Sequence, residues 1–85
     1  MDIIKNIEKI INEIYDYDIK FLINNLIQIF TDILNCNDLI KFPTLLNKCN
    51  SIITGCYLAV QKKDYLLVAD LLEYELKPMI GKMYE

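Results

Sequence analysis

The apolar residues of this 85-residue chain recur at helical spacing in four separate stretches. In the first, isoleucines repeat at i, i+1, i+4, i+7, i+8 and i+11, while Lys, Asn and Glu fill the opposite side. Such a division at a period of about 3.6 residues is typical of an amphipathic helix. It predicts a first helix near residues 2 to 15. Its core-facing residues are Ile3, Ile4, Ile7, Ile10, Ile11 and Ile14.

The second apolar set is also helical but does not continue the first. A helix running straight through would rotate the apolar side by roughly 90°. A break at Tyr15-Asp16-Tyr17-Asp18 restores the register, with Asp16 or Asp18 available as N-cap. A second helix is expected near residues 18 to 35, with Phe21 off its apolar face. Its apolar set is Ile19, Leu22, Ile23, Leu26, Ile27, Ile29, Phe30, Ile33 and Leu34.

A turn at Asn35-Cys36-Asn37-Asp38 and a proline at position 43 precede the third stretch. Because proline suits the first turn of a helix, a third helix is expected near residues 44 to 62. Gly55 costs this helix up to about 1 kcal/mol relative to Ala, which predicts a close approach of another helix there. The core face consists of Leu45, Leu46, Cys49, Ile52, Ile53, Cys56 and Val60.

The fourth stretch predicts a helix near residues 65 to 80. Asp64 is expected to cap its first turn. Pro78 predicts a kink or a stop, and Gly81 is a natural terminator. The core row is Tyr65, Val68, Ala69, Leu72, Leu76 and Met79.

This fourth helix carries a second apolar row, which the other three lack. The row consists of Leu67, Leu71, Tyr74 and Pro78, and Glu75 lies between the two rows. A helix that is apolar on two sides either occupies the centre of a bundle or packs on a second surface. We expect these five residues to form a contact with another chain or with a partner protein. Glu75 either reaches water or a lysine, or acts as a polar specifier within that contact.

Four apolar faces joined by short connections predict one domain over residues 1–85, an all-α, up-down-up-down four-helix bundle.

The net charge is −3 and all nine basic residues are lysines. Because arginine forks are absent and the net charge repels a polyanion, nucleic-acid binding is not expected. No apolar run approaches the roughly 20 residues that span a bilayer, so no membrane span is expected. Three cysteines without a secretory leader indicate the cytoplasm.

The residue types indicate little capacity for catalysis or metal binding. There is no His and no C-x-x-C pair, so a structural zinc site would lack ligands. Cys49 and Cys56 share an apolar face, where free cysteine behaves as a small hydrophobe. Asp16 with Asp18 does not match a calcium loop. We therefore expect no enzyme, and no catalytic residue, cofactor, metal ion or small-molecule substrate.

One segment carries a resemblance. Residues 64–78, DYLLVADLLEYELKP, resemble a stretch found in small, poorly characterised helical proteins and modules of AT-rich Gram-positive bacteria. The resemblance implies a helical fold and no particular chemistry.

The expected function is a protein–protein interaction module, a small adaptor or a chaperone-like bundle, that self-associates as a homodimer or binds a partner protein. A tetratricopeptide-like hairpin is an alternative, because that pattern is approached by Gly55, Tyr57, Asp64, Tyr65, Ala69 and Pro78. The spacings differ by one or two residues, and no second copy appears at 34 residues. A metal-dependent protein and a membrane-surface protein are weaker alternatives.

Overall fold

The computed structural model describes residues 3–35 and 41–83 and confirms the all-α bundle. Helix α1 spans Ile3–Tyr15, α2 spans Leu22–Leu34 and α3 spans Pro43–Gln61. The fourth helix runs in three consecutive segments, which we call the C-terminal helix: Tyr65–Leu71, a π-helical turn at Leu72–Leu76, and Lys77–Met83. The described ranges contain no strand. Most of the turn predicted at 35 to 38 lies outside these residues.

The core is built from one face of each helix and holds no buried polar or charged side chain within the described part of the chain. Helix α1 packs against α2 and against the C-terminal helix, and α3 packs mainly on the C-terminal helix. The contact between α2 and α3 is narrower. There the rings of Phe30 and Tyr57 meet edge to face, with centroids 6.3 Å apart.

Helices α1 and α3 end in the same way, and each uses a residue other than glycine in the left-handed conformation. Tyr17 follows α1 with φ 60°, and Lys63 follows α3 with φ 58°. The amide after each donates to a carbonyl five residues back, Asp18 to Glu13 and Asp64 to Ala59, both at 2.8 Å. These are the bonds of a Schellman motif, which usually places Gly at the left-handed position. A side chain there costs about 1 to 2 kcal/mol.

The second helix begins later than its sequence pattern predicts. It starts at Leu22 rather than near residue 18, and its N-cap is Phe21, which makes no side-chain cap bond. Neither Asp16 nor Asp18 caps it, because the chain first needs the left-handed Tyr17 and a short connection to reverse direction. Phe21 itself is exposed.

Before Pro78 the C-terminal helix leaves α-helical register, but it does not end there. The amide of Lys77 donates to the carbonyl of Leu72, five residues back rather than four. Pro78 has no amide for the carbonyl of Tyr74, and its ring would crowd that carbonyl in a regular helix. The wider π-helical turn moves the Pro78 ring and the Tyr74 carbonyl apart. The helix then continues to Met83, so the prediction that Gly81 terminates it was wrong.

Two contacts predicted for this helix are present. The Asp64 carboxylate accepts the Leu67 amide at 3.2 Å and caps the first turn. At Gly55, an added Cβ would lie 3.3 Å from Cδ1 of Leu71, which shows the close approach of α3 and the C-terminal helix.

Lys77 ties the π-helical turn to α1. Its Nζ lies 3.4 Å from Glu73 Oε1 and 3.4 Å from Glu8 Oε1. Burial lowers the pKa of Lys77, but the hydrogen bonds and charges of Glu73 and Glu8 outweigh that effect and leave the pKa raised. The protonated lysine therefore joins the C-terminal helix to the first helix.

Candidate functional site

The second apolar row of the C-terminal helix lies on its outer side, and the structure divides it. Leu71 is half-buried against Gly55 and packs on the core. Leu67 is 42% exposed, Tyr74 is 72% exposed, and Pro78 is exposed as well. We call Leu67, Tyr74 and Pro78 the outer row. Leu71 thus serves the bundle, whereas the outer row is free to contact another molecule.

Glu75 lies beside the outer row and faces a lysine. Its carboxylate oxygen Oε2 is 3.9 Å from Nζ of Lys48 on α3, and both side chains are about half exposed. An ion pair this exposed contributes about 0 to 1 kcal/mol. It gives the surface a charged edge of both signs.

One exposed residue of α3 lies at the level of the outer row. The Gly55–Leu71 approach fixes the level at which the two antiparallel helices meet. Leu58 is one turn along α3 from Gly55, which brings it to the level of Leu67 at a rise of 1.5 Å per residue. Leu58 is an exposed apolar side chain of that neighbouring helix.

A second exposed apolar surface lies on α2, where the sequence pattern predicted core. Ile23 is 49% exposed, Ile27 is 46% exposed and Leu34 is exposed too. The pattern correctly predicted a helix. It also assigned Ile23, Ile27 and Leu34 to the core face, and the fold leaves these side chains exposed. The contact of α2 with α3 is narrow, and these side chains remain about half exposed.

A cavity of about 200 Å³ opens at one end of the bundle. The sequence pattern did not predict it. It is lined by Tyr15, Tyr17 and Tyr65 together with Lys63 and Asp64, and by Ile14 and Leu66. We call it the tyrosine cavity. A signal was present: in an up-down-up-down bundle the first and third connections lie at the same end. Tyr17 lies in the first connection, Tyr15 ends the helix before it, and Tyr65 begins the helix after the third.

The two described cysteines are inert. Cys49 and Cys56 are free thiols with no exposed surface. Burial raises the pKa of Cys49, and it raises the pKa of Cys56 to about 12. A thiol that stays protonated is a poor nucleophile and a poor metal ligand. Within residues 3–35 and 41–83 no group of three or more His, Cys, Asp or Glu side chains is placed to hold a metal ion. The loop position predicted for Cys36 lies outside those residues.

None of the helices in the described ranges has the length and apolar character required to cross a membrane. The family model described as "Domain of unknown function (DUF8042)" matches residues 1–85, and the chain belongs to this family. No curated protein matches the chain, and no solved structure matches it.

Proposed function

We propose that this chain is a non-catalytic protein–protein interaction module, a small adaptor or chaperone-like bundle, and that it self-associates through the outer row. The supporting observation is that Leu67 and Tyr74 project into solvent from a helix whose core side is already filled. Fully burying a large apolar side chain contributes about 1.5 to 3 kcal/mol. A second molecule covering the outer row would recover the part of that free energy that corresponds to the surface now exposed.

The surroundings of the outer row support a second copy as its occupant. Protein interfaces combine a few aromatic and aliphatic anchors with a polar rim. Tyr74 and Leu67 supply the anchors, and Lys48 and Glu75 supply a rim with both signs of charge. In a two-fold symmetric dimer the same surface meets itself, so Lys48 of one copy can face Glu75 of the other.

The experiment exchanges the two anchors for charges. Leu67→Glu with Tyr74→Lys adds one charge of each sign and leaves the net charge unchanged. Leu71 is retained, because its contact with Gly55 belongs to the fold. We expect the parent chain to sediment as a dimer and the double variant to sediment as a helical monomer. Circular dichroism checks that the variant remains folded.

A matched control is available on α2. Ile23→Glu with Ile27→Lys places the same two charges on α2 side chains that are 49% and 46% exposed. This control should leave the dimer intact. A parent that is monomeric at high concentration contradicts self-association. A Leu67/Tyr74 variant that unfolds assigns the outer row to the core, and a control that dissociates the dimer assigns the interface to α2.

The buried thiols bear on the compartment. Cys49 and Cys56 are unpaired within the described part of the chain. Free buried thiols are usual in a reducing environment. We therefore propose that the module works in the cytoplasm.

A further inference from the structure

We propose that the tyrosine cavity binds an organic cation, an alkylammonium group, at the end of the bundle opposite the start of α3. This goes beyond the proposed self-association, which concerns the outer row. The cavity holds about 200 Å³, and three of its lining residues are tyrosines. It is large enough for a group of several non-hydrogen atoms, since one water occupies about 30 Å³ in the liquid.

The rings are available to a ligand. Tyr17 is 82% exposed and Tyr15 is 59% exposed, while Tyr65 is partly buried and packs against the core. The face of an aromatic ring carries negative potential, and rings placed around a cation attract it. Tyr65 lines the cavity as a residue packed against the core, and Tyr15 and Tyr17 line it as residues open to solvent.

The backbone places these rings. Tyr17 and Lys63, which have positive φ, both line the cavity. Each follows the end of a helix, and the bonds from Asp18 to Glu13 and from Asp64 to Ala59 hold the two turns. The cavity therefore lies between two defined turns and does not depend on a single flexible loop.

The charges at this end of the bundle are balanced, so the preference for a cation rests on the tyrosine rings. Lys63 and Asp64 both line the cavity, and the two connections also carry Asp16, Asp18, Lys20 and Lys62. Asp64 also accepts the Leu67 amide, so the N-terminus of the C-terminal helix already has an acidic group. Lys63 opposes a cation. Its ammonium sits on a flexible four-carbon stem, and the residue is exposed, so it can turn toward water.

Aromatic cages recognise methylated ammonium groups, in free molecules such as choline and in modified lysine side chains. Both sources present the same chemistry. For a small ligand in an open site, we expect dissociation constants on the order of 1 mM. Losing one ring should weaken binding about twofold to fivefold. Replacing Lys63 by Met should strengthen it.

The test titrates the full chain with choline, with a short peptide containing trimethyl-lysine, and with 3,3-dimethylbutan-1-ol, the uncharged carbon isostere of choline. Amide chemical shifts of residues 15, 17 and 65 report binding at the cavity. We expect both cations to shift these amides and the isostere to bind several times more weakly. The better of the two cations identifies the source as a free molecule or a partner peptide.

Two variants locate the site. Tyr17→Leu removes one ring, and Phe42→Leu removes an exposed aromatic ring before the start of α3, far from the cavity. Choline binding should weaken in Tyr17→Leu and stay unchanged in Phe42→Leu. Equal binding of the isostere, equal weakening in the two variants, or no shift at tens of millimolar choline overturns the proposal. Folding of each variant is checked by its amide spectrum.

Discussion

The contact between α3 and the C-terminal helix can be measured with the two glycines of the chain, because both lie inside helices. An Ala at Gly81 would meet no atom within 4 Å, whereas an Ala at Gly55 would place its Cβ 3.3 Å from Cδ1 of Leu71. Gly81→Ala therefore reports helix propensity alone. Gly55→Ala reports the same propensity together with the packing against Leu71.

The expected magnitudes follow from these distances. Replacing Gly by Ala in a helix interior stabilises by about 0.8 to 1 kcal/mol, and by less near a helix end. For Gly81→Ala we expect the free energy of unfolding to rise by about 0.5 to 1 kcal/mol. At Gly55 the methyl of Leu71 must move by a few tenths of an ångström, and a strained rotamer costs about 0.5 to 1.5 kcal/mol. Gly55→Ala should therefore be close to neutral.

A larger side chain sharpens the comparison. Gly55→Leu must displace Leu71, and overpacking of this kind costs about 1 to 3 kcal/mol. Urea unfolding of the three variants, followed by circular dichroism, gives the differences. For a domain of this size, 1 kcal/mol corresponds to about 4 to 8 °C in Tm. If Gly55→Ala stabilises as much as Gly81→Ala and Gly55→Leu is tolerated, the helices do not approach each other at Leu71.

Two further predictions concern the cap and the buried thiols. Asp64→Ala should lower the free energy of unfolding by about 1 kcal/mol, because the Leu67 amide loses its acceptor, while Asp64→Asn should retain most of the stability. Thermal unfolding measures both variants. Equal stability of the two would show that the cap bond contributes nothing. Above pH 9 the Cys56 thiol ionises in the unfolded chain, whereas in the folded chain it stays protonated up to about pH 12. Because the unfolded state then binds fewer protons, the free energy of unfolding falls as pH rises. This thiol contributes at most about 1.4 kcal/mol per pH unit to that fall. Chemical unfolding at pH 8 and pH 10 should show a smaller loss for Cys56→Ala than for the parent, since the lysines titrate in both; an equal loss would mean that Cys56 does not cause it.

Periodicity identified all four helices because the apolar residues of each recur at helical spacing. Asp64 and Pro43 begin helices where expected, since both act through their own backbone neighbourhood. The failures are of another kind. Gly81 and Asp18 have the right residue types for a stop and a cap, but the C-terminal helix continues to Met83, and the left-handed Tyr17 and a short connection precede the start of the second helix. No propensity scale anticipates a tyrosine at a position that glycine usually fills.

The width of an apolar face cannot be read without knowing how many neighbours cover it. On α2, Ile23 and Ile27 are exposed because α3 lies against only part of that helix. The C-terminal helix is different, since it packs against both α1 and α3 and still presents Tyr74 to solvent. On α2 the narrow contact with α3 accounts for the exposed apolar residues. On the C-terminal helix neighbours lie on both sides and Tyr74 is exposed nonetheless, which is why the outer row is the proposed interface and α2 supplies its control.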